Sequence, residues 1–167
     1  FDFPMRYRIV ETLAVNESGV GGRGVDWLDN GYFTHQQYPS HAQPNLMIGN
    51  HDLVRFGDLV QRGGIADVND AEYWLRHKAA FAFQAAYSGP ITLYYGDEIG
   101  DQVDGFAAKE DINTCALAGL CDDHVARSSA KIEGITATLD ANQADLKSYV
   151  QSLMTMRAAH PALYEGS

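Results

Sequence analysis

The feature that most constrains the fold of this chain is a series of short apolar runs that alternate with helix-like segments. The runs at residues 1–3, 46–49 and 91–95 are continuous rather than alternating, which is typical of strands covered on both faces. Two glycine-rich polar segments, residues 16–44 and 97–133, are predicted to be long loops. The order of elements predicts an α/β fold, because strands that alternate with helices form a parallel sheet with right-handed crossovers.

Helix signals follow the apolar runs. Pro4 suits a first helical turn. Asn69 with Glu72 predicts a capping box, with a helix over residues 71–88. A last helix is predicted over residues 142–160. The residues that share one face are Met5, Ile9, Val10 and Leu13 in the first helix, and Leu146, Val150, Leu153 and Arg157 in the last.

The charge of the chain excludes several classes of partner. Lys and Arg total 12 and Asp and Glu total 22, so the net charge is −10. This charge argues against nucleic acid and against a membrane surface, because binding phosphate groups needs basic side chains. A hydrophobic fraction of 46% allows a packed core, and 167 residues suit one domain. Because the chain begins inside an apolar run and without Met, we expect it to be a piece of a longer protein.

Cys115 and Cys121 enclose five residues. They are open to three interpretations: a small-loop disulfide, two free thiols, or a metal pair. The metal pair is least favoured, since zinc sites usually need four ligands at tighter spacing. A disulfide would indicate an oxidising compartment, and on this ground we expect a periplasmic or extracellular location, with the cytoplasm left open.

Polar residues suited to chemistry follow one of the predicted strands. Asn50, His51 and Asp52 close it, with Arg55 three residues further on. In parallel α/β folds the active site lies at the carboxyl ends of the strands. A carboxylate beside an imidazole and near a guanidinium can hold sugar hydroxyls or stabilise developing positive charge. The same residues can instead form a helix N-terminus that is capped by Asn50 or Asp52.

A second polar cluster, residues 94–98, closes the next predicted strand with two tyrosines, a glycine and two carboxylates. Aromatic rings at a pocket mouth can stack on sugar faces, and Asp97 or Glu98 can then act on a substrate. The favoured interpretation is structural: a buried tyrosine pair, a glycine turn and two solvated carboxylates.

A metal-dependent phosphohydrolase is a remote alternative. His41, the pair His51 and Asp52, and Asp58 imitate the H…HD…D ligands of that class. The fold of that class is all-helical, whereas this His-Asp pair ends an apolar run, which makes the signal weak. The remaining histidines are predicted to be surface or satisfied residues: His35, His77, His124 and His160.

Four segments of the chain resemble, in order, segments of the α-amylase family of glycoside hydrolases. The seventh-strand motif of that family resembles LMIGNHDLVR at residues 46–55, and its eighth-strand segment resembles SGPITLYYGDEIG at residues 88–100. The sixth-strand region is similar to FDFPM at residues 1–5, and the end of the eighth helix to LMTMRAAHPAL at residues 153–163. Residues 126–129 depart from the Arg-Thr-Pro-Met segment that often follows the eighth strand, which leaves the subfamily open.

The resemblance implies a TIM-type (β/α)8 barrel, of which residues 1–167 are the C-terminal third, with strands six to eight and their helices. It implies a retaining hydrolase that cleaves α-glucosidic bonds in starch or maltooligosaccharides, with a carboxylate nucleophile and a carboxylic acid. Both groups lie upstream in this family, so we expect the isolated chain to be inactive and, with uncovered sheet edges, prone to self-associate. No cofactor or metal site is evident in this chain, because the calcium ligands that the resemblance implies lie mostly in the upstream part.

The resemblance also implies roles for the residues that follow the seventh strand. Asp52 matches the third carboxylate of the family, which distorts the sugar and stabilises the transition state, and His51 matches a histidine that binds sugar hydroxyls. Asn50 and Arg55 match supporting positions of the substrate-binding site. The alternatives are a transglycosylase of the same family, in which a sugar replaces water as acceptor, and a non-catalytic glycan-binding relative.

We expect Cys115 and Cys121 to be joined by a disulfide in the mature protein. The closed loop is short, so the bond should stabilise the fold by only about 2 kcal/mol. Mass spectrometry of freshly purified protein without reductant should show the mass of the oxidised chain. Two free thiols in that sample would contradict both the disulfide and the oxidising compartment.

Overall fold

The computed structural model describes residues 1–103, 106 and 126–165. Cys115, Cys121 and His124 lie outside the described residues, so the predictions made for them stay predictions. The described elements are α1 (Phe3–Leu13), α2 (Asp29–His35), β1 (Leu46–Met47), α3 (Phe56–Arg62), α4 (Ala71–Ala86), β2 (Ile91–Thr92), α5 (Ala141–Ala159) and α6 (Ala162–Glu165), with 3-10 helices at Val25–Leu28 and Asp97–Ile99.

The two described strands form a parallel pair, as the sequence predicts. Leu46 lies opposite Ile91, and Met47 lies opposite Thr92. Gln84 on α4 ties the pair together, because its Nε2 donates to the carbonyls of Leu46 at 3.1 Å and Thr92 at 2.9 Å. Both strands are shorter than predicted, since the residues that follow them turn away from regular strand structure. The result is a mixed α/β segment.

The predicted first strand is wrong, because α1 begins at Phe3. Asp2 caps this helix: its Oδ1 accepts the N–H of Met5 at 3.1 Å. Pro4 lies in the first turn, as predicted. One strand-like feature persists, since the N–H of Asp2 donates to the carbonyl of Asn45, just before β1, at 2.7 Å. The local capping signal therefore prevails over the apolar run.

The start of α4 also differs from the prediction. The expected capping box of Asn69 and Glu72 is wrong, because Asp70 is the N-cap and its side chain makes no capping bond. Instead, the carboxylate of Asp70 accepts the N–H of Asp67 at 3.0 Å within the preceding turn. The helix ends at Ala86, two residues earlier than predicted.

The start of α5 is fixed by a capping box. The carboxylate of Asp140 accepts the N–H of Gln143 at 2.9 Å, and Oε1 of Gln143 accepts the N–H of Asp140 at 3.1 Å. The predicted shared face is confirmed: Leu146, Val150 and Arg157 are buried, and Leu153 packs partly buried against the core. No helix in the described part of the chain combines the length and apolar character that crossing a membrane requires.

The prediction of a long loop over residues 16–44 is wrong, because this segment contains a 3-10 helix and α2. Trp27 anchors it: its Nε1 donates to Oε2 of Glu11 at 2.6 Å, and the guanidinium groups of Arg8 and Arg23 lie over its ring. These contacts join Trp27 to residues outside its own helix, so the glycine-rich composition of the segment does not predict them.

The core lies between the helices and the strand pair. α4 packs against α5, and α1 packs against β1, α3 and α4. At the amino end of β2, the buried Arg157 donates to the carbonyls of Ala85, Tyr87 and Leu163 at 2.8, 2.6 and 2.9 Å, and also to that of Gly89. The largest fully buried apolar side chains include Met5, Ile9, Leu46, Met47, Leu59, Tyr73, Phe81 and Leu146.

Candidate active site

The turn after β1 brings together three of the predicted site residues, Asn50, His51 and Asp52, and the side chain of Asn50 stabilises this turn. Oδ1 of Asn50 accepts the N–H of Asp52 at 2.8 Å, and its Nδ2 contacts Sδ of Met47 at 3.2 Å. The alternative in which Asn50 or Asp52 caps a helix is wrong, because α3 begins only at Phe56 and its N-cap is Arg55. Asn50 is buried and shapes the turn that presents its neighbours.

His51 and Asp52 lie at the surface, beyond the carboxyl end of β1. Their side chains are 63% and 56% exposed, and Nε2 of His51 lies 3.3 Å from Oδ1 of Asp52. Arg127 approaches the same pair: its Nη2 lies 3.0 Å from Oδ1 of Asp52, and its Nε donates to the carbonyl of His51 at 3.0 Å. An exposed carboxylate between an imidazole and a guanidinium can bind a sugar and stabilise positive charge.

Arg127 is a site residue that the strand-end pattern does not predict. It lies 75 residues from its carboxylate partner along the chain. Two tyrosines hold its neighbours, because the hydroxyl of Tyr94 donates to the carbonyl of Ala126 at 3.0 Å and that of Tyr95 to the carbonyl of Ser128 at 2.5 Å. The prediction of a buried tyrosine pair is wrong, since Tyr94 is half-buried and Tyr95 is exposed. The one feature of the sequence that points to the contact of Arg127 with Asp52 is the arginine in the segment 126–129, the segment that departs from Arg-Thr-Pro-Met.

Arg55 lies beneath the surface site. Its side chain is 1% exposed, and it lies 3.6 Å from Oδ1 of Asp97 and 3.8 Å from Oδ2 of Asp101. Its Nη1 donates to the carbonyl of Tyr95 at 2.9 Å, and its Nη2 donates to both residues that flank Arg127, at 3.3 and 3.2 Å. The predicted contact of Arg55 with substrate stays a prediction, and the side chain links the segments that form the site.

Asp97 is buried beside Gly49, so the prediction of a solvated carboxylate is wrong for this residue. A Cβ on Gly49 would lie 2.7 Å from Oδ2 of Asp97, so a larger residue at position 49 would displace the carboxylate. Burial raises the pKa of Asp97 to about 7, although the positive charge of Arg55 lowers it. Glu98 is half-buried and accepts the N–H of Gly96 at 2.8 Å. Gly96 has a φ of +89°, which favours glycine.

Asp58 on α3 is a second buried carboxylate. Its two oxygens accept the N–H of Val103 at 3.1 and 3.2 Å. Burial raises the pKa of Asp58 to about 7, although the N–H of Val103 and the positive charges of Arg55 and Arg62 lower it. Asp58 is one of the four residues that the phosphohydrolase alternative would require as metal ligands. Among the described residues, no group of three or more His, Cys, Asp or Glu side chains could hold a metal ion.

Two of the other histidines have defined partners. Nδ1 of His77 hydrogen-bonds the carbonyl of Tyr73 at 2.9 Å, and burial lowers the pKa of His77 to about 4, which confirms a satisfied histidine. Nε2 of His35 lies 2.7 Å from Oδ2 of Asp2, which also accepts the hydroxyl of Tyr87 at 2.6 Å. This second cluster lies near the amino ends of the strands, away from the candidate site.

Sequence and structure both match solved structures over the whole chain. No protein-family model matches it. AmyP in complex with maltose, and a glutamate-to-glutamine variant of AmyP in complex with maltotriose, each match it with 66% identity and a TM-score of 0.94. The chain belongs to the α-amylase family. The matches cover 100% of this chain, 33% of AmyP in the maltose complex and 34% of the variant in the maltotriose complex, so this α-amylase-family chain spans about a third of their length.

The comparison confirms the family that four segments of the sequence indicate. The mixed α/β fold of this α-amylase-family chain is that of the matching third of AmyP. Maltose and maltotriose are bound to AmyP in those structures.

Asp58→Asn should reduce the pH dependence of stability. The folded-state pKa of Asp58, about 7, lies above its ordinary value of 3.8, so the folded protein binds the proton more tightly than the unfolded chain. The stability contributed by this proton is fully present below about pH 4 and is lost as the pH rises to about 7. We expect the unfolding free energy of the wild type to fall by about 2–4 kcal/mol more than that of the variant through this window, because Asp97 and His77 titrate in both proteins.

Urea unfolding of both proteins at about pH 5 and about pH 8 measures this difference. Asp145→Asn is the matched control, because Asp145 is 65% exposed and forms a surface ion pair with Lys78. A fall in Asp58→Asn as large as that in the wild type would contradict the assignment.

Proposed function

We propose that this chain is the part of a retaining α-glucan hydrolase that supplies the transition-state-stabilising aspartate, Asp52. The observation that carries the proposal is the exposed carboxylate of Asp52 at the carboxyl end of β1, with His51 and Arg127 beside it. Membership of the α-amylase family and the maltooligosaccharides bound to AmyP support an α-glucan as the substrate.

The chemistry of glycoside cleavage accounts for this arrangement. The transition state resembles an oxocarbenium ion, so an anionic side chain near the sugar ring lowers its energy. His51 and Arg127 both approach Oδ1 of Asp52, and we assign Oδ2 to the sugar. His51 is exposed and can donate to a sugar hydroxyl, while Arg127 orients the carboxylate. Asn50 contributes by holding the turn, through its bond to the N–H of Asp52.

We place the chain as the C-terminal third of a (β/α)8 barrel catalytic domain. In this placement β1 and β2 are the seventh and eighth strands, and residues 1–5 follow the sixth. The parallel pairing of β1 and β2, and the polar side chains at their carboxyl ends, support it. In this placement the nucleophile and the general acid come from the part of the barrel that lies upstream of this chain.

Asp52→Asn in the complete protein should lower kcat by about 10²–10³-fold, because the variant loses the negative charge that stabilises the transition state. The thermal unfolding midpoint should stay close to that of the wild type, since the Asp52 side chain is 56% exposed. The measurement is kcat and KM on maltooligosaccharides, with product analysis to show whether water or a sugar is the acceptor.

Asp145→Asn serves as the control for this experiment, because it removes one exposed carboxylate from α5 without touching the site. Near-normal turnover in a folded Asp52→Asn protein would refute the role of Asp52. A wild-type protein that binds maltotriose without cleaving it would favour the non-catalytic relative.

The isolated 167-residue chain should be inactive and should self-associate. Its described residues offer no assigned nucleophile, and β1 and β2 pair with each other as a two-stranded sheet. Unpaired strand edges and exposed apolar side chains such as Phe1, Val25 and Phe33 favour association. An assay on maltooligosaccharides, combined with light scattering, tests both expectations. Turnover by a monodisperse monomer would place the catalytic carboxylates within this chain.

A further inference from the structure

We infer that Asp97 is a positioning residue for the proposed reaction. Its buried carboxylate holds Gly49 and Arg55 in place and thereby fixes the position of the Asp52 carboxylate relative to the Arg127 guanidinium. This inference rests on the proposed function, because it assigns the geometry of the same site. It concerns a buried residue that the favoured interpretation of the sequence treats as a solvated carboxylate after a glycine turn.

The first support is the contact with Gly49. Both carboxylate oxygens of Asp97 pack against this glycine, since an added Cβ would lie 2.7 Å from one and 3.1 Å from the other. Gly49 begins the turn in which Asn50 bonds the N–H of Asp52. A movement of the Asp97 carboxylate therefore presses directly on the backbone that carries Asp52.

The second support is the pairing with Arg55. Oδ1 of Asp97 lies 3.6 Å from the Arg55 guanidinium, which donates to both residues that flank Arg127. Arg127 in turn lies 3.0 Å from Oδ1 of Asp52. One buried carboxylate thus contacts both Gly49, which precedes the turn that carries Asp52, and Arg55, which bonds the residues beside Arg127.

The charge of Asp97 gives this arrangement a pH dependence. Burial raises the pKa of Asp97 to about 7, and the negative charges of Glu98 and Asp101 raise it further against the positive charges of Arg55 and Arg6. Below that pH the protonated carboxyl no longer forms an ion pair with Arg55. These neighbours also have charged contacts of their own. Arg55 lies 3.8 Å from Asp101 and is attracted by the negative charge of Asp58. Arg6 pairs with Glu17, and Asp101 pairs with Lys131.

The decisive experiment compares Asp97→Asn with the wild type in the complete protein. Asparagine keeps the shape of the side chain but is neutral at every pH. With maltopentaose as substrate, we expect the ratio of wild-type to variant kcat to rise from about 1 at pH 5.5 to about tenfold at pH 8.5. KM should change by less than about twofold, since Asp97 does not touch the sugar.

Two further variants keep the inference falsifiable if Asp97→Asn does not fold. Glu98→Gln removes a negative charge that raises the pKa of Asp97. The rise of kcat that follows ionisation of Asp97 should therefore have its midpoint at a lower pH in this variant than in the wild type. Gly49→Ala places a methyl group against the carboxylate of Asp97 and displaces it, so this variant should have a lower kcat at every pH. Asp145→Asn, at an exposed ion pair, should leave the profile unchanged.

A ratio of wild-type to Asp97→Asn kcat that is constant with pH would overturn the inference, because a merely structural carboxylate gives a uniform loss. An effect confined to KM would overturn it as well. An inactive wild-type protein would refute the proposed function alone. In that event, amide exchange at residues 49–55 still tests the positioning: protection should rise with pH, after correction for intrinsic rates, in the wild type and not in Asp97→Asn.

Discussion

The buried guanidinium of Arg55 is the interaction on which the rest of the candidate site depends. It joins the turn after β1, the loop after β2 and residues 126–128, which are far apart along the chain. Burying a guanidinium is costly unless it is paired and fully hydrogen-bonded. Here Asp97 and Asp101 supply the negative charge, and the carbonyls of two residues and the hydroxyl of Ser128 accept from Nη1 and Nη2, while Nε of Arg55 has no hydrogen-bond partner among the described residues. Without Arg55 these two carboxyl groups would lose their shared partner, so the site and the local fold form one cooperative unit.

Much of the fold can be predicted from local signals. The continuous apolar runs at residues 46–49 and 91–95 predict the parallel pair β1–β2, and helical spacing predicts the buried face of α5. The errors arise where side chains decide between local structures. Asp2 satisfies the first turn of α1 and so ends the apolar run, and Asp70 bonds Asp67 and not the helix that it precedes. Such choices depend on rotamers, which a pattern of residue types does not specify.

The candidate site divides in the same way. Asn50, His51 and Asp52 are predictable, because the carboxyl ends of parallel strands meet at one edge of a sheet. Arg127 and the burial of Asp97 are not, since both result from contacts with residues 75 and 48 positions away. A carboxylate that follows a glycine turn looks solvated in the sequence. Only the packing of Gly49 against it shows that the carboxylate belongs to the support of the site.

The strand β2 is held at both of its ends by arginines. Arg157 donates to the carbonyl of Gly89 before the strand, and Arg55 donates to the carbonyl of Tyr95 after it. Because both bonds are made to the backbone, they specify the length of the segment between them and not its side chains. Substitutions at the exposed Leu93 leave both bonds intact. An insertion or deletion of one residue, however, would separate one of the arginines from its partner, so the length of this stretch is constrained more strictly than the residue at position 93.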